Sequence, residues 1–168
     1  HKTENRLVYL NLETEDAVKS AAKSIAESAG DRLEAYLIQP QVQGSREFVA
    51  GLFNDAQYGP VVMFGLGGIF TEVLSDVAFR LAPLSEAEAA EMITELLGAF
   101  RGEVPVNRDL LIQTLVGLSR IAEDRTDIKE IDINPLLIGP KGNPVAVDAL
   151  VVKGGVASVK QYTEPVDP

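Results

Sequence analysis

Apolar residues recur at helical spacing in three stretches of the chain. Each stretch follows a residue type that commonly caps helices: Thr14, Ser85 and Asn107. Glu88 lies three residues after Ser85 and completes a capping box with it. The three stripes are Val18, Ala21, Ala22, Ile25 and Ala29; Ala89, Ile93, Leu96 and Leu97; and Leu111, Leu115, Leu118 and Ala122. This spacing predicts three amphipathic helices, the first of which ends at Gly30.

Shorter apolar or alternating runs predict the strands. Residues 33–39 and 46–54 resemble a strand pair joined by a polar loop with Gly44. The other candidates are residues 7–12, 61–64, 71–74, 76–81, 131–136 and 144–152. Helices and strands do not alternate strictly, which indicates the α+β class, with a largely antiparallel sheet flanked by helices.

The last two candidate strands carry the most informative polar residues. Alternation places Asp132 and Asn134 on one face and the neighbouring isoleucines, followed by Pro135, on the other. Gly142 predicts a turn between the strands. A fold about Lys141 sets Asn134 opposite Asp148, which follows it by fourteen residues and supplies a second carboxylate. An amide oxygen and two carboxylates suit a hard cation such as Mg²⁺. A solvated hairpin face with scattered polar residues is the alternative at this point.

Composition and charge narrow the kinds of ligand and chemistry that this chain can have. The 168 residues suit one domain, and the net charge of −10, with no run of Lys or Arg, argues against nucleic acid and anionic membranes. No apolar run approaches the ~20 residues of a membrane span. The chain has no cysteine and one histidine, which excludes thiol chemistry and most histidine-based zinc sites. We expect a cytoplasmic protein and, because the first residue is not Met, a piece of a longer polypeptide.

A glycine-rich run follows the apolar segment 61–64. Gly65-Leu66-Gly67-Gly68 does not fit the dinucleotide fingerprint, because Phe70 stands at the third glycine position, and it lacks the Gly-Lys-Ser/Thr of a P-loop. It is either a tight turn or a place where backbone N–H groups approach an anion without interference from Cβ atoms.

Three separated runs together resemble one family. They are His1-Lys2-Thr3-Glu4, the run YGPVVMFGLGG at residues 58–68 continuing to Glu72 and Asp76, and Asp132-Ile133-Asn134-Pro135-Leu136 with Asp148. They resemble the ATP-grasp part of NDP-forming acyl-CoA synthetases such as ADP-forming acetate–CoA ligase, and more distantly the succinyl-CoA synthetase beta subunit. The resemblance implies that residues 1–153 form an ATP-grasp domain lacking its N-terminal segment, and that residues 154–168 form a tail or linker.

The resemblance also implies roles for residues of the last hairpin and of a hinge between two lobes. Asn134 and Asp148 would be Mg²⁺ ligands, and Asp132 would steady a phosphohistidine that visits the nucleotide. Gln39 would lie where the hinge between the lobes meets adenine, and Glu47 would face the nucleotide pocket. From the residues alone, Gln39 could equally be a strand-end amide in a turn, and Glu47 could belong to a cross-strand ion pair.

Further residues complete the implied site. Gly67 and Gly68 would lie beside the phosphoryl-transfer site with Glu72 close behind them. His1 would relay phosphate between an acyl-CoA-forming subunit and ATP, which suits a nucleophilic imidazole. The family commonly follows its histidine run with a Gly-Gly pair, whereas Arg6 and Leu7 stand there in this chain.

The implied activity is the formation of acyl-CoA, ADP and phosphate from a carboxylic acid, CoA and ATP, with Mg²⁺ and ATP/ADP as cofactors. The expected partners are CoA-binding and ligase domains of the same polypeptide or of a partner subunit, with a small-molecule carboxylic acid and CoA as substrates. The chain alone is not expected to be active. The alternative is a non-catalytic regulatory region of a larger protein, such as a protein acetyltransferase.

Overall fold

The computed structural model describes residues 7–44, 46–67, 76–97 and 106–154. The chain divides into two compact units, His1–Gln41 and Val42–Pro168. The predicted segment 71–74 and the tail beyond Gly154 lie outside the described residues.

The first unit contains helix α1 (Glu15–Ala29), followed by a 3-10 turn (Gly30–Arg32). Thr14 caps α1 as predicted, because its hydroxyl oxygen accepts a hydrogen bond from the backbone N–H of Ala17 at 3.2 Å. The helix ends at Gly30, whose φ of 55° lies in the left-handed region that favours glycine. Of the predicted stripe, Ala21 is buried.

Two strands predicted near the start of the chain are not formed. Within the described residues, neither 7–12 nor 33–39 belongs to a strand, and Asn11 has a φ of 57°, in the left-handed region. The predicted pairing of residues 33–39 with residues 46–54 is also wrong. Both sides of the strand at residues 46–54 are occupied by other strands, so no edge remains for a third.

The second unit is built on a six-stranded sheet in which every neighbouring pair is antiparallel. Its strands are β1 (Arg46–Asp55), β2 (Gly59–Leu66), β3 (Val77–Leu81), β4 (Ile128–Ile138), β5 (Pro144–Ala146) and β6 (Ala149–Lys153). The order is β3-β2-β1-β4-β5, and β6 also pairs with β4. This arrangement confirms the predicted antiparallel α+β architecture.

The main differences from the predicted strands are a longer β2, a longer β4 and a division of the last strand. β2 continues through Gly65 to Leu66, so the glycine-rich run interrupts the sheet later than expected. The last predicted strand is divided into β5 and β6, with Val147 and Asp148 between them. The division falls at Asp148, which was predicted to be a metal ligand.

Two helices, α2 (Glu86–Leu97) and α3 (Arg108–Asp124), pack on one face of this sheet. Both predicted caps are formed. The Ser85 hydroxyl accepts from the Glu88 N–H at 3.2 Å while the Glu88 carboxylate accepts from the Ser85 N–H at 2.9 Å, and Asn107 accepts from the Leu110 N–H at 3.2 Å. The core between helices and sheet includes Phe48, Ala50, Leu52, Val62, Phe64, Met92, Ile93, Leu111 and Leu115. The phenyl rings of Phe48 and Phe64 stack with centroids 5.0 Å apart.

Strand alternation sends the intervening residues to the other side of the sheet, which we call the open face. It carries Glu47, Gly51, Met63, Phe79 and Asp132. Each of these residues either alternates with core residues along its own strand or pairs in register with a residue that does. Phe79 is 51% exposed. Glu47 and Asp132 therefore lie on the side of the sheet away from the hydrophobic core.

None of the helices in the described part of the chain is long and apolar enough to cross a membrane.

One buried hydroxyl connects the corner between β3 and α2 to helix α3. Ser119 is 1% exposed, and its Oγ accepts the backbone N–H of Leu84 at 2.6 Å. We expect Ser119→Ala to lower the free energy of unfolding by about 1–3 kcal/mol, because the Leu84 N–H is left buried without an acceptor.

Urea denaturation measures this change, and Thr114→Ala is the matched control on the same helix. The Thr114 hydroxyl donates to the carbonyl of Leu110 within its own helix, an interaction that contributes little to stability. Equal losses in the two variants would contradict the assignment to the Leu84 hydrogen bond.

Candidate functional site

Asn134 and Asp148 lie directly opposite each other across the last hairpin. The Asn134 N–H donates to the Asp148 carbonyl at 3.1 Å, and the Val147 N–H donates to the Pro135 carbonyl at 3.0 Å. Gly142, with a φ of 82°, forms the turn as predicted. The predicted opposition of Asn134 and Asp148 across the hairpin is thus confirmed for the backbone.

A β-bulge in β4 separates this pair from the hydrophobic core. The β1–β4 register matches Ala50 with Ile133 but Phe48 with Leu136, so β4 contains one more residue than β1 between these points. Ile131 and Leu136 consequently both join the core, although one is odd and the other even in number. The prediction that simple alternation continues through Pro135 was therefore wrong. Bulges re-aim side chains, and this one lies at Asn134, which is exposed.

The carboxylates of the hairpin influence one another. Asp132 is half-buried, and loss of hydration raises the pKa of its carboxyl group, with smaller upward contributions from the negative charges of Glu130 and Asp148. The Asp148 carboxylate accepts a hydrogen bond from the Ala149 N–H at 3.0 Å, which orients it. The result is a cluster of oxygen atoms with a surplus of negative charge, which a bound cation would relieve.

Glu130 is a member of this cluster that the sequence interpretation missed. It lies two residues before Asp132 and pairs with Phe53 of β1, so it shares the open face. The same alternation that grouped Asp132 with Asn134 was sufficient to find it.

The donor atoms suit Mg²⁺, which takes oxygen ligands and is commonly held by one or two carboxylates together with phosphates and waters. In the described ranges, no group of three or more His, Cys, Asp or Glu side chains is close enough to hold a metal unaided. A site at Asn134 and Asp148 would therefore need further oxygen atoms from a ligand such as a nucleotide.

Gly67 and Glu47, which were predicted separately, lie in contact. The Gly67 N–H donates to the Glu47 carbonyl at 2.8 Å, and a Cβ at Gly67 would lie 3.1 Å from the Glu47 Cβ. The Leu66 N–H donates to the Asp76 carbonyl at 3.1 Å, so the residues on either side of segment 67–75 lie close together. Glu47 also pairs with Leu137 of β4, close in sequence to Asn134. β1 and β4 thus carry both halves of the candidate site.

The remaining predicted site residues are not tested in this way. Gln39 is exposed and belongs to the first unit. His1, Gly68 and Glu72 lie outside the described residues, so their roles stay predictions, as do the ligand roles of Asn134 and Asp148.

Comparison with known proteins identifies relatives along nearly the whole chain. The ATP-grasp domain family matches residues 1–152. The chain is 36% identical over 167 residues to the beta subunit of the ADP-forming acetate–CoA ligase II of Pyrococcus furiosus, which covers 92% of this chain and 71% of that subunit. It is 38% identical over 152 residues to an ADP-forming 4-hydroxybutyrate–CoA ligase of Nitrosopumilus maritimus, covering 84% of this chain and 22% of the relative.

Solved structures give the same picture. A dinucleotide-forming acetyl-coenzyme A synthetase 1 of Ca. Korarchaeum cryptofilum, in complex with coenzyme A and Mg-AMPPCP and with its phosphohistidine segment pointing towards the nucleotide-binding site, is 38% identical with a TM-score of 0.74. The match covers 92% of this chain and 71% of that one. A protein of Pyrococcus horikoshii is 34% identical with a TM-score of 0.80, covering 92% and 70% of the two chains.

The raised pKa of Asp132 predicts a pH-dependent change in stability. Because its folded-state pKa lies above the unfolded value of about 3.9, the ionised carboxylate destabilises the fold at neutral pH. We expect Asp132→Asn to raise the free energy of unfolding at pH 7, and this gain to disappear as the pH falls below both pKa values, where the carboxyl group is protonated in both states.

Urea denaturation at pH 7 and pH 3 without divalent cations measures this effect. Asp31→Asn, a change of an exposed residue in the 3-10 turn, is the control and should stay within about 0.5 kcal/mol. A loss of stability at pH 7 in Asp132→Asn would contradict the account.

Proposed function

The chain belongs to the ATP-grasp domain family, and from this premise we propose that it forms the nucleotide- and Mg²⁺-binding part of an ADP-forming acyl-CoA synthetase. The reaction converts a carboxylic acid, CoA and ATP to acyl-CoA, ADP and phosphate. The observation that carries the proposal is the opposition of Asn134 and Asp148 beside Asp132 on one sheet. The ligase relatives support the choice of reaction.

Asn134 and Asp148 would hold the metal through their side-chain oxygens. Bound there with a nucleotide, Mg²⁺ supplies neutralisation of the charge on the phosphate oxygens. The bulge at Asn134 supports this role because it releases that residue from the core-facing alternation of β4. The hydrogen bond from the Ala149 N–H keeps the Asp148 carboxylate oriented.

Glu47, Gly67 and Gly68 would line the nucleotide pocket, with Gln39 near the adenine and Glu72 near the phosphates. The contact between Gly67 and Glu47 supports a common site, because it holds the start of the glycine-rich segment against the first residues of β1. Because the Gly67 N–H is bonded to the Glu47 carbonyl, Gly68 would be the glycine whose backbone N–H approaches a phosphate oxygen.

Asp132 would steady His1 when that residue carries phosphate. A carboxylate can accept the N–H of one ring nitrogen and leave the other ring nitrogen free to take and release a phosphoryl group. The half-buried position of Asp132 supports this role, because an imidazole N–H would stabilise by hydrogen bonding the charged form that burial and two neighbouring carboxylates disfavour.

CoA-binding and ligase domains, in the same polypeptide or in a partner subunit, would supply CoA and the carboxylic acid. In this arrangement residues 1–153 act as the ATP-grasp domain and residues 154–168 as a tail or linker. We assign the enzyme to the cytoplasm, where ATP and CoA are available.

Removing either proposed metal ligand tests the nucleotide site. In the intact protein we expect Asn134→Ala and Asp148→Ala each to lower the rate of ADP formation at least about 100-fold, since even the partners of metal ligands typically contribute 10- to 100-fold. Asn143→Ala is the control in the same hairpin, because Asn143 bonds to Asn107 and lies outside the proposed site. Unaltered turnover in the two ligand variants would remove the metal assignment.

The second candidate function is that of a non-catalytic regulatory region in a larger protein, such as a protein acetyltransferase. The observation that favours it is Arg6-Leu7 at the place where the family commonly has two glycines after the histidine run. The retained Asp132, Asn134 and Asp148 favour catalysis.

Phosphorylation of His1 separates the two functions. After incubation of the intact protein with ATP and Mg²⁺, we expect acid-labile phosphate on His1 by mass spectrometry, and none in His1→Ala. Nucleotide binding without any phosphate on His1 would instead favour the regulatory function.

A further inference from the structure

Gly51 occupies an unusual position in the middle of β1. It pairs with Asp132 of β4 on one side and with Met63 of β2 on the other, and it shares the open face with both. Glycine in the interior of a strand is unfavourable, because it adds no packing and loses the most conformational freedom. The position therefore calls for a local reason.

The reason is the closeness of β4. A Cβ atom at Gly51 would lie 2.8 Å from the carbonyl oxygen of Ile131 and 3.4 Å from the Met63 Cε. Ordinary close contacts between carbon and a carbonyl oxygen across neighbouring strands are about 3.3–3.6 Å. Any other residue would consequently push the Ile131 carbonyl away by roughly 0.5 Å.

That carbonyl belongs to the peptide group that leads directly into Asp132. A displacement of the peptide therefore moves the backbone on which the Asp132 carboxylate is mounted. A side chain at residue 51 would have little room to move away from β4, because the Met63 side chain lies within contact distance on the β2 side. The absence of a side chain at residue 51 thus sets the position of Asp132 on the open face.

We propose that Gly51 is a positioning residue for Asp132 in the phosphohistidine step. The inference rests on the proposed function, because it requires that Asp132 interacts with phosphorylated His1. It adds that the distance between β1 and β4 at Gly51 determines how well the carboxylate reaches the imidazole. A misplacement of about 1 Å can slow a reaction about 100-fold, so a displacement of roughly half that size corresponds to roughly 10-fold.

The test is the single-turnover rate of His1 phosphorylation by ATP in the intact protein. We expect Gly51→Ala to lower this rate about 10-fold while the affinity for ADP changes less than about 2-fold. Glu47, the nearest proposed pocket residue on β1, lies four residues away, which corresponds to about 13 Å along a strand.

A double-mutant cycle shows whether the effect passes through Asp132. Asp132→Asn alone should slow the step, and Gly51→Ala should then cause no additional loss, because the group that it displaces has lost its charge. Equal losses from Gly51→Ala in both backgrounds would overturn the inference.

Gly44→Ala is the matched control for a clash with β4. A Cβ at Gly44 would lie 2.6 Å from the Ile138 carbonyl oxygen, on the same strand but six residues beyond Asp132. It should lower the free energy of unfolding and leave the phosphorylation rate of the folded protein unchanged. If it slowed the step as much as Gly51→Ala does, the effect would be a general disturbance of the sheet and the inference would be wrong.

If Gly51→Ala does not fold, the same measurement is made on Gly51→Ala/Met63→Ala, which has room for the methyl group on the β2 side, with Met63→Ala as its reference. An unchanged rate in Asp132→Asn would refute the proposed role of Asp132, and this inference with it. A slow Asp132→Asn combined with a normal rate in the Gly51 variants would refute the inference alone.

Discussion

The one-residue offset between β1 and β4 is the constraint on which both faces of the sheet depend. On one side of the offset Ile131 enters the core, and on the other side Leu136 and Ile138 do so. Regular alternation could not bury all three, because residues of opposite parity point to opposite faces. The bulge satisfies the core and leaves Asn134 exposed, opposite Asp148. Packing and site geometry are thus consequences of the same irregularity.

Without a ligand, the carboxylates of the candidate site repel one another. Asp132 is half-buried, and Glu130 and Asp148 both raise its pKa, so three carboxylates oppose one another near one stretch of β4. Burial of apolar side chains such as Phe48, Phe64 and Met92 on the helix side stabilises the sheet that carries them. Such a local conflict is typical of functional sites, where a ligand supplies the missing compensation. A metal cation would relieve this repulsion in the proposed reaction, and an imidazole N–H would give Asp132 a hydrogen bond.

Features determined by neighbouring residues were predictable from the sequence. The three helices, their caps at Thr14, Ser85 and Asn107, and the turn at Gly142 depend on local spacing, and the turn alone was sufficient to set Asn134 against Asp148. Strand partners depend on distant parts of the chain. For this reason residues 33–39 were wrongly paired with β1, and the bulge at Asn134 and Pro135 was not foreseen. The contact between Gly67 and Glu47 likewise became visible only in three dimensions. The spacing between β1 and β4 at Gly51 also has no signature in a single sequence beyond the glycine itself.

The central claim is that Asn134 and Asp148 hold the metal of a bound nucleotide, and paramagnetic broadening tests it most directly. In the ¹⁵N-labelled intact protein, Mn²⁺ with ADP replaces the diamagnetic complex, and the loss of each amide signal reports its distance from the metal. The account predicts the strongest broadening at Asn134 and Asp148 and weak broadening at Gly117 in the middle of α3. Strongest broadening at any other part of the sheet, or none at the hairpin, would contradict it.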